Sequence, residues 1–265
     1  MSSFLSSSHN PHLQQVRALL NQKSARSESG LFVVEGVRLA EETLASQTPV
    51  KEAYFAASTS ERGHKIIDAL TRRGVEIFEV AEPVLESLSA TETSQGVLLV
   101  LSQQSRLLPS QADFVVILDQ LRDPGNMGTI LRAAAAAGAQ VVLLPPGTTD
   151  PFAPKVVRAG MGAHFRLALH NANWAEIREY CHTAAPSGLR LFLAESGGGT
   201  SCWQADLREP LALVIGGEAD GASPEAREAV DELLHIPMPG QFESLNAAVA
   251  AGILLFEIVR QRSQP

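Results

Sequence analysis

Polar side chains that could bind a ligand or take part in catalysis occur at three turns in the second half of the chain. The first turn contains Asn126, with Arg132 six residues later. The second contains Glu218, and the third contains Ser244 and Asn246. Ser or Asn at a helix start either caps the helix or binds a ligand, because the first backbone N–H groups of a helix have no partner within it. Capping alone would explain any single turn, but three turns beside apolar segments predict a shared ligand site.

Arg132 precedes a run of alanines, 133–137, which is typical of a helix packed closely on all sides. A guanidinium in such a helix costs free energy unless it is paired or reaches a polar cleft. We therefore predict a functional role for Arg132, the alternative being a solvated helix residue. Asn126 is placed to cap this helix and Gly138 to end it, although a separation of six residues need not put Asn126 and Arg132 on one face.

The second turn is rich in glycine, with Gly216 and Gly217 before Glu218. Glycine allows a ligand to approach the backbone closely. The spacing differs from the dinucleotide-binding fingerprint, and no Lys-Ser/Thr pair follows as in a P-loop, so neither a dehydrogenase nor an ATPase is favoured. An exposed acidic turn is an equally good explanation of Glu218 and Asp220.

Continuous apolar runs alternate with helical segments in the second half of the chain, a pattern that predicts a parallel sheet buried between helices. Ligands of such sheets bind beyond the carboxyl ends of the strands. The predicted strands are 114–119, 140–145, 166–170, 189–195, 211–217 and 234–238, and the predicted helices are 127–137, 153–161, 174–182, 224–232 and a last helix that follows Asn246.

The first half also alternates between the two kinds of segment and predicts a small α/β domain. Its predicted strands are 31–36, 52–57, 75–80 and 96–101, and its predicted helices are 37–45, 61–71 and 83–89. Residues 102–112 lose the periodicity and contain a proline. We therefore predict a first domain over 1–104, a linker over 105–112 and a second domain over 113–265.

The composition is that of a globular protein, with 265 residues, 45% hydrophobic, 19% charged and a formal net charge of -8. The acidic balance argues against a protein that coats nucleic acid nonspecifically. Cys181 and Cys202 match no zinc spacing or disulfide framework, which predicts a reducing compartment and no metal site. No apolar run approaches the roughly 20 residues of a membrane-spanning helix. We expect a cytoplasmic protein.

The first 27 residues contain no acidic residue and are rich in serine, as in an organelle transit peptide. Leu13, Val16, Leu19 and Leu20 nevertheless keep a helical spacing. We favour a folded first helix.

Three motifs in this order resemble those of the SpoU/TrmH family, a branch of the SPOUT superfamily of RNA ribose methyltransferases. NMGTILRAAAAAGA, LVIGGEADG and IPMPGQFESLNAAVAAGILLFE are similar to the family's first, second and third motifs. The segments FVVEGVRLAEE, TSQGVLLV and PKVVRAGMGAHFR extend the resemblance over nearly the whole chain. Two positions depart from the family motifs: Gly217 stands where the family frequently has Asn, and Ala248 stands where it frequently has Ser.

The resemblance implies a dimeric α/β methyltransferase domain with a deep trefoil knot, preceded by a small RNA substrate-binding domain. It also implies that S-adenosylmethionine is bound within the knot. The implied cofactor-binding residues are Leu144, Pro145, Ile215, Gly216, Gly217, Ile236, Met238, Ser244, Leu245 and Asn246. The implied catalytic residues are Asn126, Arg132, Glu218, Ser244 and Asn246.

The implied reaction is attack of a ribose 2′-hydroxyl on the cofactor's methyl group, in ribosomal RNA more than in transfer RNA. A guanidinium is a poor proton acceptor at neutral pH. Our hypothesis is that Arg132 grips a phosphate and stabilises developing charge, oriented by Glu218 and Asn126. A noncatalytic RNA-binding protein that retains the fold is the alternative, favoured by Ala248 and the acidic charge.

RNA contacts need positive charge, which an acidic chain must concentrate locally. Residues 151–170 contain three Lys or Arg residues and no Asp or Glu. The predicted RNA-binding residues are Lys155, Arg158 and Arg166, extended by Arg17, Lys23, Arg26 and Arg38. A solvated charged face is the alternative. The seven histidines show no metal-ligand spacing.

Overall fold

A five-stranded mixed sheet forms the centre of the first half of the chain in the computed structural model, which describes residues 3–89, 96–103, 107–218, 221–240 and 243–264. Its strands lie in the order β1-β4-β3-β5-β2, with β5 antiparallel to both of its neighbours. The elements are β1 (Ser3–Leu5), α1 (Pro11–Asn21), α2 (Lys23–Ser29), β2 (Leu31–Glu35), α3 (Val37–Ala45), β3 (Val50–Phe55), α4 (Glu61–Arg72), β4 (Glu76–Val80), α5 (Glu82–Glu86) and β5 (Val97–Ser102).

The folded first helix is confirmed. Asn10 caps α1 by accepting a hydrogen bond from the His12 backbone N–H, and proline occupies the first helical position, where its missing N–H costs nothing. Leu13, Val16 and Leu19 are buried in the core of this half.

A seven-stranded sheet with every strand parallel forms the centre of the second half, in the order β10-β12-β9-β11-β6-β7-β8. All five residues of β6 and of β11 are buried, as expected for strands covered on both faces. The elements are β6 (Phe114–Leu118), α6 (Pro124–Ala136), β7 (Val141–Leu144), α7 (Pro154–Gly160), a 3₁₀ turn (Ala163–Phe165), β8 (Ala168–Asn171), α8 (Trp174–Thr183), β9 (Arg190–Ala194), β10 (Thr200–Ser201), β11 (Leu211–Ile215), α9 (Pro224–Ala229), β12 (Glu232–His235) and α10 (Ala247–Arg262).

The predicted helix 224–232 is too long. It ends at Ala229, and Glu232 already belongs to β12. Asp231 stops the helix, because its backbone N–H donates to the Leu191 carbonyl while its carboxylate accepts from the Leu191 N–H. The short strands β1 and β10 are not predicted, since two or three residues are too few for a periodicity.

Contacts divide the chain into two units, Met1–Ser105 with Phe152–Phe165, and Arg106–Pro151 with Arg166–Pro265. Helix α7 therefore groups with the first unit, where it packs on β2 and the Phe152 ring lies 5.0 Å from that of Phe32. The predicted domain boundaries do not include the return of residues 152–165 to the first unit. Part of the predicted linker, residues 105 and 106, lies outside the described part of the chain, as does residue 104.

Within the second unit, Asp119 connects the end of β6 to two helix starts. Its side chain is almost fully buried and accepts hydrogen bonds from Trp174 Nε1 at 3.2 Å and from the Ser223 backbone N–H at 2.6 Å. Because Ser223 caps α9, this carboxylate fixes the start of that helix beside the carboxyl edge of the sheet. Across the described ranges, no helix is long and apolar enough to cross a membrane.

Candidate active site

Helix α6 begins with Asp123 as its cap, so the prediction that Asn126 caps it is wrong. The Asp123 side chain accepts a hydrogen bond from the Asn126 backbone N–H at 2.7 Å. Pro124, at the first helical position, is the signal that favours Asp123 as the cap. The side chain of Asn126 is consequently available for contacts outside its own helix.

Asn126 connects the first turn to the second through Glu218. Its Nδ2 donates to Glu218 Oε1 at 2.9 Å, and the Arg122 backbone N–H donates to Glu218 Oε2 at 3.4 Å. Both carboxylate oxygens therefore face the start of α6, although the side chain is exposed.

Asn246 connects the third turn to the first. The predicted position of Asn246 at a helix start is confirmed, and of the two roles left open the structure shows capping of α10: its Oδ1 accepts from the backbone N–H groups of Ala248 at 2.9 Å and Val249 at 3.2 Å. Its Nδ2 donates to Asn126 Oδ1 at 3.0 Å. Glu218, Asn126 and Asn246 thus form a continuous hydrogen-bonded chain, here called the amide–carboxylate chain, which joins all three polar turns.

A cavity of about 590 Å³ lies beside this chain, at the carboxyl ends of β9, β11 and β12 and against the first half of α10. Predicted site residues that line it are Ile215, Gly216, Gly217, Glu218, Ile236, Met238, Ser244, Leu245 and Asn246. Residues that the sequence analysis missed are Ala194, Glu195, Ser196, Gly221, Ala222, Leu234, Glu243, Ala247, Ala250 and Leu254.

Leu144 and Pro145 are buried and do not line the cavity. Leu144 ends β7, which lies on the far side of β6 from the strands that open into the cavity. The corresponding loop is instead 194–196, at the end of β9. Its signal in the sequence is the same as for the other turns, a continuous apolar run that ends in polar residues and glycine.

Gly217 is required by a close approach of the backbone. A Cβ at this position would lie 2.5 Å from the Gln120 carbonyl oxygen, and Gln120 itself has a left-handed backbone with a φ of 54°. A Cβ at Gly216 would lie 2.7 Å from the backbone nitrogen of Ala222. The departure from Asn at position 217 therefore matches the local packing of this chain.

The cavity is acidic. Its lining includes Glu195, Glu218 and Glu243, and none of its lining residues within the described ranges is Lys, Arg or His. Such a surface attracts a cation and repels phosphate groups. Most of the other lining residues are glycines and aliphatic side chains, which suit a flat apolar ring.

Arg132 does not join these residues. It is exposed, and it forms no hydrogen bond or ion pair with any residue that the structure describes. The hypothesis that Glu218 and Asn126 orient it has no contact to support it here, since Glu218 is engaged by Asn126 and the Arg122 N–H. Ser244 is exposed at the cavity rim.

The predicted RNA-binding residues differ in their surroundings. Arg26 is removed from the set, because its side chain is 5% exposed and its Nη1 donates to the Leu19 carbonyl at 2.6 Å, at the end of α1. In the first unit, Arg158 is half-buried beside Glu35 at 3.5 Å, and Arg17 donates to Ser87 Oγ at 3.4 Å. The exposed residues are Lys23, Arg38 and Lys155 in the first unit and Arg166 in the second.

Both cysteines are buried and form no disulfide. Burial raises the pKa of the Cys181 thiol to about 12, so it is not a nucleophile at neutral pH. No cluster of three or more metal-binding side chains occurs among the residues described.

A parallel sheet with a glycine-walled cavity at its carboxyl edge defines an α/β protein that binds a small ligand between strand ends and a helix start. The sequence model of the SpoU rRNA Methylase family matches residues 113–256, and that of the MRM3-like substrate binding domain matches residues 10–99. The chain belongs to the SpoU rRNA methylase family, whose fold implies the trefoil knot.

Named relatives are similar over almost their full length. The 23S rRNA (guanosine(2553)-2′-O)-methyltransferase RlmP of Bacillus subtilis is 31% identical over 90% of this chain and 92% of its own. An AdoMet-bound rRNA methyltransferase from Sinorhizobium meliloti has 31% identity, 98% coverage of both chains and a TM-score of 0.84. The SpoU methyltransferase AviRb from Streptomyces viridochromogenes, in complex with AdoMet, has 30% identity, coverage of 96% and 99%, and a TM-score of 0.81.

Substitution of Gly217 by Ala tests the close approach to Gln120. We expect the free energy of unfolding to fall by about 1–3 kcal/mol, because the added methyl group forces two backbone segments apart. Gly197→Ala is the matched control: no atom lies within 4 Å of its added Cβ, so the loss should stay below about 0.5 kcal/mol. Urea denaturation measures both, and equal stabilities of the two variants would contradict the packing argument.

Proposed function

We propose that this chain transfers a methyl group from S-adenosylmethionine to a ribose 2′-hydroxyl of ribosomal RNA. The observation that carries the proposal is the acidic cavity that the second and third polar turns line beside the amide–carboxylate chain. RlmP, a 2′-O-methyltransferase by name, supports the reaction, and the AdoMet-bound relatives support the methyl donor.

The cavity's chemistry fits this donor. S-adenosylmethionine supplies an electrophilic methyl group on a positively charged sulfur, and the carboxylates of the lining favour that positive charge. Backbone at 215–217 and the side chains of Ile236, Met238 and Leu245 would hold the adenine. A pyrophosphate-bearing cofactor would meet three carboxylates and no basic side chain among the described lining residues.

The protein's contribution is chiefly positioning. Asn126 and Asn246 hold the turns at fixed separations, so that donor and ribose meet without a further loss of conformational freedom. Arg132 is exposed, as a side chain that contacts RNA must be. In our proposal its guanidinium binds a phosphate beside the target ribose and stabilises the attacking oxygen, whose proton passes to that phosphate or to water as the methyl group leaves S-adenosylhomocysteine behind.

Methyl transfer to ribosomal RNA transcripts, detected as ribose methylation that blocks alkaline cleavage, tests this function. We expect the wild type to be active and Arg132→Ala to lose activity by about 100- to 1,000-fold, as when a donor to a developing oxyanion is removed. Arg132→Lys should retain only part of the activity, because an ammonium cannot form the paired hydrogen bonds of the guanidinium.

Arg178→Lys, an exposed position on α8, is the control and should be fully active. Full activity of Arg132→Lys would show that methyl transfer does not require the paired hydrogen bonds of a guanidinium at this position. A wild type that binds the donor and RNA but transfers no methyl group would favour the noncatalytic alternative.

We further propose a homodimer in which α10 packs against a second copy of the chain. One face of α10 is apolar yet exposed: Val249 is 51% exposed, Ile253 40% and Phe256 51%. These residues follow helical spacing, and a Cβ added at Gly252 between them would point into open space. A monomer would leave this stripe in water.

The double substitution Ile253→Glu with Phe256→Glu should convert the dimer to a monomer, because charges would be buried at the interface. Sedimentation velocity at micromolar concentration measures the change. Phe4→Glu is the control, since Phe4 is similarly exposed but lies on β1 of the first unit, and it should leave the dimer intact. A wild type that sediments as a monomer would overturn the proposal.

The first unit is proposed to bind the RNA, in keeping with the match to a substrate binding domain over residues 10–99. Lys23, Arg38, Lys155 and Arg166 are the exposed cations proposed to contact phosphates. We retain the domain limits 1–104 and 113–265, with the linker between them, as proposals. A ribosomal RNA substrate agrees with a cytoplasmic location.

A further inference from the structure

One wall of the cavity is a single turn that follows β11, here called the cavity-wall turn (residues 216–218 and 221–223). All of these residues except Ser223 line the cavity. The Gly217 backbone N–H donates to the Gly221 carbonyl at 3.0 Å, which closes the turn. The turn also carries Glu218, one end of the amide–carboxylate chain. Its position on the sheet therefore affects both the cavity and that chain.

Both ends of the cavity-wall turn contact two consecutive residues at the end of β6. The Gln120 carbonyl oxygen packs against Gly217, 2.5 Å from the position that an added Cβ would occupy. The Asp119 carboxylate accepts a hydrogen bond from the Ser223 backbone N–H at 2.6 Å. The Asp119 backbone N–H donates to the Ile215 carbonyl at 2.9 Å, which continues the pairing of β6 with β11 up to the turn. Residues 119 and 120 thus hold the turn from behind.

This two-residue segment is itself fixed by a hydroxyl. The Gln120 backbone N–H donates to Thr148 Oγ1 at 3.1 Å, and the same hydroxyl donates to the Leu118 carbonyl at 2.7 Å. The φ of Gln120 is 54°, in the left-handed region that residues with a Cβ rarely adopt. The hydroxyl therefore holds the support of the cavity-wall turn in a conformation that the chain would not favour by itself.

Asp119 acts on the cavity without reaching it. Its side chain is 1% exposed and does not line the cavity. Burial of a carboxylate costs free energy unless hydrogen bonds satisfy it. Here one oxygen accepts from the Ser223 N–H and the other from Trp174 Nε1 at 3.2 Å. The first hydrogen bond leads to the cavity-wall turn and the second to α8, which does not line the cavity, so mutation can separate them.

We propose that Asp119 is a positioning residue for the methyl donor, which holds the cavity-wall turn through the Ser223 N–H in the arrangement that binds S-adenosylmethionine. The proposal rests on the proposed function, since it takes the cavity as the donor site. Loss of this hydrogen bond lowers the population of the binding arrangement and weakens donor binding by the same factor. Enzyme saturated with the donor is already in that arrangement, so its rate of methyl transfer is retained.

Titration calorimetry of the full chain with S-adenosylmethionine tests this assignment. We expect Asp119→Ala to bind about 10- to 100-fold more weakly than the wild type, the range for loss of a hydrogen bond to a charged group. In RNA methylation the KM for the donor should rise by the same factor, whereas kcat should be retained. Trp174→Phe is the matched control: it removes only the hydrogen bond to α8 and should bind the donor as the wild type does.

A rescue experiment separates positioning from overall stability. Asparagine has one acceptor oxygen where aspartate has two, so in Asp119→Asn the NH₂ group must face one of the two N–H donors. We expect an intermediate loss of donor affinity. Adding Trp174→Phe removes the competing donor, lets the amide oxygen accept from the Ser223 N–H, and should restore affinity. A carboxylate that acted only through stability would give the opposite order, because the double variant loses more native interactions.

Thermal melting establishes which variants are folded at the temperature of the titration. Unchanged affinity in folded Asp119→Ala, or an equal weakening by Trp174→Phe, overturns the assignment while the proposed function stands if the wild type binds the donor and methylates RNA. If Asp119→Ala does not fold, the rescue decides: a double variant that binds no more tightly than Asp119→Asn overturns the assignment. A wild type that does not bind S-adenosylmethionine overturns both.

Discussion

The amide–carboxylate chain is the interaction on which the site depends, because it joins three turns that are distant in sequence. Asn126 uses both ends of its side-chain amide, accepting from Asn246 at 3.0 Å and donating to Glu218 at 2.9 Å. Since Asn246 also caps α10, the start of that helix is fixed relative to α6, against which it packs. These hydrogen bonds fix the separations of the turns beside the cavity, so three ordinary polar side chains can position its walls.

The acidic lining provides a second constraint, on the kind of ligand. A carboxylate-bearing cavity within a parallel α/β sheet is unsuited to the phosphate-bearing cofactors that such sheets commonly bind, and it suits a sulfonium. The lining divides into a part near Asn126, where Glu218 accepts hydrogen bonds from an amide and a backbone N–H, and a part near β9, where Arg227 balances the charge of Glu195.

Local patterns predict much of the fold. Continuous apolar runs identify β6 and β11 to within about two residues, and the polar turns that follow identify Gly216, Glu218 and Asn246. Features that depend on strand order or on a distant partner are not predictable in this way. Leu144 and Ala194 both end apolar strands, and only the order of strands in the sheet decides which end opens into the cavity. The sequence around Arg26 predicts a surface cation, but its side chain is buried and donates a hydrogen bond to the Leu19 carbonyl.

The affinity of Asn126→Ala for S-adenosylmethionine, measured by titration calorimetry, tests the central claim most directly. Loss of two hydrogen bonds worth about 1 kcal/mol each lowers the population of the arrangement that binds the donor, which predicts binding weaker by up to about 30-fold in a protein that remains folded. Asn173→Ala, which removes an asparagine cap at the start of α8 away from the cavity, should bind as the wild type does. Undiminished affinity of Asn126→Ala would contradict the account, because the turns would then hold the donor without the hydrogen bonds that join them.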